Sequence, residues 1–259
     1  MEIKIINSNK DKASYIISGI DTSIANALRR AVQEVQTLAV DEVEIVKNDS
    51  ALFDEILAHR IGLIPLKTEK GISSRDECSC KGKGCSKCTV SMKLKAQGPC
   101  TVYASDIKGK DLVIHKKMPI LSLLKGQELE LNAYARLGTG KEHSKFCPAL
   151  VYFRPSVQIN VSKDCDLCDA CVEACPIHIL ANHGKAISCS DINSCDSCDA
   201  CVEACKKKGK DAISIKQSKE DYIFIIESFG QLSVKEIFTE MCKVIERNLK
   251  EIEKKLSKS

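Results

Sequence analysis

The sequence predicts an α+β fold made of three parts, and three observations lead to this prediction. Each end of the chain combines short apolar strands with one amphipathic helix. A long segment after the first helix carries four closely spaced cysteines. A longer cysteine string then occurs twice between residues 161 and 215, which indicates a small, internally duplicated domain.

The N-terminal part is predicted to begin with two strands, at residues 2–7 and 13–18, on either side of a polar turn. A helix follows, and Asp21 or Thr22 can cap its first turn. The predicted apolar face of this helix consists of Ile24, Ala27, Leu28, Ala31, Val35 and Leu38.

The C-terminal part repeats this order, with an apolar strand at residues 222–227 and a break at Gly230. Ser233 and Glu236 have the spacing of a capping box, which predicts a helix running to about residue 255. The helix has a narrow heptad seam, made of Cys242, Ile245, Leu249, Ile252 and Leu256. Such a seam packs within the chain or against a partner helix. Because its last turns are otherwise charged or polar, we favour a partner helix.

The duplicated string has the spacing C-x2-C-x2-C-x3-C, which holds [4Fe-4S] clusters in bacterial-type ferredoxins. Three thiolates of one string bind one cluster, whereas the fourth binds the other cluster in two-cluster ferredoxins. The predicted ligands are Cys165, Cys168, Cys171 and Cys205 for the first cluster, and Cys195, Cys198, Cys201 and Cys175 for the second. A zinc site or a disulfide framework is the weaker alternative.

Residues 161–215 are therefore interpreted as a ferredoxin-like iron-sulfur domain, with matching return strands at residues 186–188 and 212–214. One difference separates the halves: Pro176 follows Cys175, whereas Lys206 follows Cys205, so the geometry of ligation by Cys205 stays open. Cys189 fits neither ligand set and is predicted to be a small buried residue.

The earlier cysteines have the spacing C-x-C-x4-C-x2-C, with glycines between them. Four close thiols on tight turns favour a closed, structural zinc site, whose ligands are Cys78, Cys80, Cys85 and Cys88. Two disulfides or a metal-free loop are the alternatives.

The composition limits the function classes. The chain has 259 residues, 44% of them hydrophobic and 29% charged, and residues 1–25 have no apolar run typical of a signal or membrane span. We predict a cytoplasmic protein without membrane contact, in which sixteen cysteines favour metals over disulfides. The formal charge of +4 would fall to about −2 with three anionic metal centres. No direct sequence-specific DNA contact is predicted.

Three further segments resemble a known family. They are residues 26–30, which include Asn26, Arg29 and Arg30; residues 48–66, which include His59, Arg60 and Gly62; and residues 135–149. Together they resemble the alpha-like subunits of DNA-directed RNA polymerase, in particular the archaeal members of this family that carry a two-cluster ferredoxin-like domain.

This resemblance implies an architecture and partners. Residues 1–46 and 216–259 would form a dimerisation domain, residues 47–160 an inserted domain with the four-cysteine loop, and residues 161–215 the iron-sulfur domain. The dimerisation domain would pair with the small subunit L. The heterodimer would then carry small subunits N and P and the two large catalytic subunits, with the clusters stabilising or regulating assembly.

Interface residues are predicted rather than catalytic ones. Asn26, Arg29 and Arg30 suit subunit contacts because guanidinium groups form bidentate ion pairs, and Leu249 and Ile252 suit a helix partner. Polymerase chemistry needs clustered aspartates that hold magnesium, and no Asp-x-Asp-x-Asp string occurs. We therefore expect a non-catalytic polymerase subunit. The alternative is a ferredoxin-type electron-transfer protein.

Overall fold

The computed structural model describes residues 1–69 and 71–257. Lys70 of the predicted inserted domain and the last two residues of the predicted dimerisation domain lie outside the described residues. The chain separates into two compact units. The first contains residues 1–8, 13–26 and 152–225, and the second contains residues 9–12, 27–151 and those from 226 onward.

Runs of consecutive strands are separated by a few α-helices along the described chain, with six strands between α2 and α3, and this agrees with the mixed helix-and-strand class that the sequence predicts. The strands are β1 (Glu2–Ser8), β2 (Lys12–Ser18), β3 (Gln36–Asn48), β4 (Val90–Gln97), β5 (Cys100–Tyr103), β6 (Ile107–Lys108), β7 (Pro119–Leu123), β8 (Glu128–Thr139), β9 (Ala149–Val161), β10 (Leu180–Asn182), β11 (Ile187–Cys189) and β12 (Ile213–Ser228). The helices are α1 (Thr22–Ala31), α2 (Asp54–Gly62), α3 (Ala170–Glu173), α4 (Ala200–Lys207) and α5 (Val234–Leu256).

The two predicted N-terminal strands are confirmed. β1 and β2 pair antiparallel, with Glu2 opposite Ser18 and Ile5 opposite Tyr15. They form one side of a four-stranded sheet with the order β1-β2-β12-β9. Phe153 on β9 stacks on Phe224 of β12 with ring centroids 5.2 Å apart, so aromatic packing joins these two strands.

Helix α1 is shorter than the sequence predicts. Asp21 caps it as expected, because its Oδ1 accepts a hydrogen bond of 2.8 Å from the Ile24 amide. The helix ends at Ala31, however, and Leu38 lies on β3, where residues from Gln36 onward pair with β8. The predicted helical face was therefore wrong beyond Ala31, since pairing with a distant strand overrides local helical periodicity.

A second four-stranded sheet, with the order β3-β8-β4-β6, forms the core of the second unit. β8 lies between β3 and β4 and pairs antiparallel with both. Strand β4 alternates buried Val90, Met92 and Leu94 with exposed polar residues, as expected for a sheet with one buried face. Leu57 and Ile61 of α2 belong to the same buried cluster, so the helix packs on this core.

The predicted C-terminal strand and helix are also confirmed. Residues 222–226 of β12 are buried, and Ser233 and Glu236 form the capping box of α5. The buried side of α5 is made of Val234, Ile237, Met241 and Val244. Within the described residues, no helix has both the length and the apolar composition that crossing a membrane requires.

The duplicated segment forms a small layered module. β10 and β11 pair antiparallel, with Leu180 opposite Cys189, while α3 and α4 each follow the first cysteines of one string. The predicted return strands correspond to β11 and to the start of β12. Its buried cluster consists of Val157, Cys171, Cys175, Ile179, Leu180, Ile187, Cys195, Cys201, Cys205, Ala212 and Ile213. Cysteines thus make up a large part of this core.

Candidate metal centres

The four-cysteine loop brings its thiols to the spacing of a tetrahedron. The Sγ atoms of Cys78 and Cys85 lie 3.6 Å apart, those of Cys80 and Cys88 lie 3.6 Å apart, and all four lie within 4.8 Å of one another. Zinc binds thiolates at about 2.3 Å, which places tetrahedral ligands about 3.8 Å apart. The thiols therefore lie close to the arrangement that one tetrahedral ion needs.

The local backbone explains this convergence. Gly84 has a φ of +82°, which a side chain would strain, and it lets the chain return before Cys85. The Cys85 amide then donates a hydrogen bond of 3.3 Å to Sγ of Cys88. This bond stabilises the thiolate and lowers the pKa of Cys88 to about 6. A metal binds the thiolate form, so this hydrogen bond favours the form of Cys88 that a metal needs.

Arg75 lies beside this loop and was not predicted from the sequence. Its Nη1 donates to Oε1 of Glu42 on β3 at 2.9 Å, and its backbone carbonyl accepts from the Cys78 amide. Its buried Nε–H has no hydrogen-bond partner among the described residues. A positive charge with a spare donor complements a four-thiolate zinc centre, which carries a charge of about −2.

The first predicted cluster set surrounds a single pocket. Cys165, Cys168, Cys171 and Cys205 all line it, with Val161, Ile187, Ala212 and Ile213 as its apolar walls. Burial raises the pKa of the Cys171 thiol, and the charges of the three other cysteines raise it further. The structure thus brings Cys205, from the second string, to the three cysteines of the first string.

Three of the four cysteines in the second predicted set belong to the buried cluster of the module. Cys175, Cys195 and Cys201 are buried, while Cys198 is exposed. Burial raises the pKa of Cys201 to about 11, with Cys195 adding to the rise. Cys189 was predicted to be a small buried residue, and it is half-buried. Burial raises the pKa of Cys189, and charges of Cys195 and Cys175 contribute, so this thiol lies beside the second set.

Both strings have the same unusual backbone. Leu167 and Asp169 have φ values of 60° and 61°, and Ser197 and Asp199 have values of 61° and 58°. Such left-handed residues, alternating with ordinary ones, turn successive amide groups toward one concave side, which suits anions such as iron-sulfur clusters. Asparagine and aspartate tolerate this conformation better than most residues, whereas leucine adopts it at a cost.

The missing proline changes the helix and not the position of the cysteine. Helix α3 ends at Glu173, before Cys175 and Pro176, because proline disfavours a helical residue before it. Helix α4 continues to Lys207 and includes Cys205. Cys205 nevertheless lines the pocket of the first set. The absence of proline is therefore compatible with ligation by Cys205.

Three polar residues support the cysteine loops, and the sequence analysis missed all three. Asn182 donates to the Leu167 carbonyl at 3.2 Å and to Oδ1 of Asp169 at 2.7 Å. Arg154 donates to the backbone carbonyls of Asn193 and Cys195. Lys210 pairs with Asp166. Each of these residues is distant in sequence from the loop atoms that it contacts, so no local sequence pattern could have identified it.

The predicted interface residues lie on helix surfaces. On α1, Arg30 is exposed, while Asn26 and Arg29 are half-buried. On α5, Leu249 and Ile252 have exposed fractions of 61% and 55%. The heptad seam on the last three turns of this helix is therefore separate from its buried side.

Similarity to known proteins extends over the whole chain. Residues 43–147 match the family model described as the RNA polymerase Rpb3/RpoA insert domain. DNA-directed RNA polymerase subunit Rpo3 of Archaeoglobus fulgidus is 36% identical over 98% of this chain and 97% of its own length.

The chain belongs to the Rpo3 family.

Further relatives agree with this assignment. Rpo3 of Thermococcus kodakarensis is 37% identical over 95% of this chain and 94% of its own length. DNA-directed RNA polymerase II subunit rpb3 of Dictyostelium discoideum is 31% identical over 97% of this chain and 93% of its own length. Rpo3 proteins are the alpha-like, non-catalytic subunits of RNA polymerase, so the predicted class of function, in transcription, is confirmed.

One segment that carried the resemblance has a clear structural role in this Rpo3 chain. Asp41 on β3 accepts from Nε of Arg136 at 2.7 Å and from Nζ of Lys145 at 3.1 Å. Burial alone would raise the pKa of the Asp41 carboxyl, but its bonds to the two cations lower it. A Cβ at Gly138 would lie 2.7 Å from the ring of Phe146, so only glycine fits there. Ion pairs from residues 135–149 to Asp41 thus join β8 and the following turn to β3.

Proposed function

We propose that this chain is the assembly platform of an archaeal RNA polymerase. Residues 1–46 and 216–259 would form the dimerisation domain that pairs with subunit L, and this heterodimer would carry subunits N and P and the large catalytic subunits. The observation that carries the proposal is similarity to Rpo3 over nearly the whole chain. The cytoplasm is the proposed compartment, where reduced thiols persist.

The exposed end of α5 supports a helical partner. Leu249, Ile252 and Leu256 form an apolar row with exposed fractions of 61%, 55% and 72%. Neighbouring positions carry charges that pair within the helix, such as Lys250 with Glu246 at 2.5 Å. An apolar row between charged flanks is the usual pattern of a helix that packs against another helix.

The four-cysteine loop is proposed to hold a structural zinc ion through Cys78, Cys80, Cys85 and Cys88. The Sγ distances of 3.6 to 3.9 Å support this assignment. Four thiolates leave no open position for a substrate, so the ion would stabilise the loop within the domain proposed at residues 47–160.

The module at residues 161–215 is proposed to hold two [4Fe-4S] clusters with the ligand sets given above. The pocket shared by Cys205 and the first string supports the exchange of the fourth ligand. Left-handed residues in both strings support an anionic group in each loop. Bound clusters supply ligation energy that the small core needs, and the cysteines here must lose protons to bind them.

Purification tests the central proposal. A tagged chain is isolated anaerobically from its own host, and co-purifying proteins are identified by mass spectrometry. Stoichiometric polymerase subunits, including the small heterodimer partner, are the expected result. Recovery of redox enzymes without polymerase subunits would contradict the proposal and favour the electron-transfer alternative.

The dimer surface is tested by Leu249→Arg. A charge in the apolar row is expected to abolish pairing with the small subunit while iron and zinc contents stay unchanged. Lys254→Glu, an exposed charge change outside the row, serves as the control. Normal pairing by Leu249→Arg would exclude this part of α5 from the interface.

The large-subunit contact is tested by replacing Arg29 and Arg30 together by alanine. We expect weaker docking of the large subunits and normal pairing with the small subunit, because these guanidinium groups are proposed to form interface ion pairs. Sedimentation of reconstituted assemblies measures both steps. Full assembly of the double variant would remove these arginines from the interface.

The clusters are also proposed to couple assembly to iron supply or oxygen. Replacing all eight ligands by serine should unfold the module and reduce the yield of complete polymerase. If the variant assembled with unchanged yield and stability, regulation through the clusters would be excluded.

A further inference from the structure

The hydroxyl of Ser197 is a buried polar group without a protein partner. Ser197 lies between Cys195 and Cys198 in the second string, with a φ of 61°. Its Oγ is inaccessible to solvent and makes no hydrogen bond within the described residues. Burying a hydroxyl without a partner is unfavourable, so we expect it to have a partner in the metal-loaded protein.

The first string has no such group. Leu167 occupies the equivalent position, with a φ of 60°, and its side chain has no donor. Each loop also has an aspartate after its first cysteine and a cation in contact with it. Asp166 of the first string pairs with Lys210, and the second string has Asp196 and the guanidinium of Arg154 on its carbonyls. An aspartate and a cation accompany both loops, although the cation pairs with the aspartate only in the first, whereas the buried hydroxyl occurs at this position only in the second.

We propose that the Ser197 hydroxyl donates a hydrogen bond to a sulfur of the second cluster and gives this cluster the higher reduction potential of the two. The inference rests on the proposed binding of two [4Fe-4S] clusters. Reduction adds negative charge to the cluster, and a donor aimed at its sulfurs stabilises that charge. The first cluster, beside Leu167, lacks this bond and is the harder one to reduce.

The test is a reductive titration of the full-length chain under anaerobic conditions, followed by electron paramagnetic resonance. The wild-type protein is expected to reduce in two steps. In Ser197→Ala, the ratio of reduced to oxidised second cluster at a fixed potential should fall about tenfold, from the typical strength of hydrogen bonds to charged groups. A tenfold change corresponds to about 59 mV for one electron. The midpoint potential of the lower step, which belongs to the first cluster, should not change.

Leu167→Ser is the reciprocal variant. It introduces a hydroxyl into the first loop, at the same backbone conformation. The midpoint potential of the lower step should rise, and that of the upper step should not change. This variant keeps the proposal testable if Ser197→Ala loses its cluster. Two unchanged midpoints in either cluster-bearing variant would overturn the inference.

Iron analysis separates this inference from the proposed function. About eight iron atoms per chain in the wild type and both variants are expected for two cubane clusters. Wild-type protein that binds no iron after anaerobic reconstitution would overturn the proposed clusters themselves. Full iron content with potentials insensitive to both substitutions would overturn only the role of Ser197.

Discussion

The four-cysteine loop and the duplicated module both gather cysteine thiols, but from different lengths of the chain. In the loop, all four thiols come from residues 78–88, and their sulfur atoms lie 3.6 to 3.9 Å apart in the three closest pairs. In the module, three cysteines of one string and Cys205 of the other line the pocket of the first set, together with apolar side chains. One arrangement comes from a single short segment, and the other needs two strings that are distant in sequence.

The two arrangements are expected to differ in how far they depend on the metal. A metal in the loop closes only a short segment, which costs little chain entropy and depends little on the rest of the protein. A metal in the module links two strings that are otherwise joined through a small core rich in cysteine. We therefore expect loss of zinc to loosen one loop, and loss of iron to take apart a whole module.

The largest expected effect is the independent loss of the two metals. Cys88→Ala should abolish zinc binding and leave about eight iron atoms per chain, because the two regions share no ligand. Cys171→Ala should lower the iron content and leave one zinc ion. Metal analysis by mass spectrometry measures both, with the exposed Cys100→Ser as the control. Joint loss of both metals in either variant would show that the regions fold as one.

The next effect distinguishes the two ligand sets within the module. Cys205→Ser should damage the first cluster and Cys175→Ser the second, each lowering iron content by about half. Mössbauer or paramagnetic resonance spectra of each variant should retain one cluster signal. Cys189→Ser is the matched control and should keep both. If each fourth cysteine instead bound the cluster of its own string, Cys205→Ser would damage the second cluster and Cys175→Ser the first.

Short cysteine spacing was enough to predict the thiols that the structure gathers in the four-cysteine loop, and for the first set the ligand exchange known in two-cluster ferredoxins was needed to include Cys205. The termini were likewise predictable, since β1, β2 and the capping box of α5 depend on local pattern. The end of α1 was not predictable, because residues from Gln36 onward pair with β8, about a hundred residues away. Non-local pairing has no local signal.

Asn182 and Arg154 could not be predicted from the sequence for the same reason. Asn182 and Arg154 act through hydrogen bonds to backbone carbonyls in loops distant in sequence. Any asparagine or arginine could do this, so residue type indicates nothing until the fold is known. Residues 135–149 show the converse: the segment identified the family, and the structure then explained Arg136 and Gly138 by ion pairing and packing.

Replacing Arg75 is expected to have a moderate effect on zinc binding. The substitution tests whether the proposed zinc site depends only on residues in and next to the loop. Arg75→Ala should weaken zinc binding about tenfold, the lower end of the range for residues that support metal ligands. Competition with a chromophoric chelator measures the affinity. Lys87→Ala removes an exposed positive charge from the loop itself and should change the affinity much less. Equal effects of the two substitutions would mean that net charge, and not the position of Arg75, matters.

The smallest effect concerns Asn182, which holds the left-handed turn of the first string. Asn182→Ala removes two hydrogen bonds, to the Leu167 carbonyl and to Asp169. Each is worth about 1 kcal/mol, so the first cluster should be lost several times faster in air. The decay of cluster absorbance should then have two phases, with the slower phase at the wild-type rate. His183→Ala, at the neighbouring position, should decay as the wild type does. A single faster phase for both clusters would mean that the two loops are not independently supported, and that the module opens as one unit.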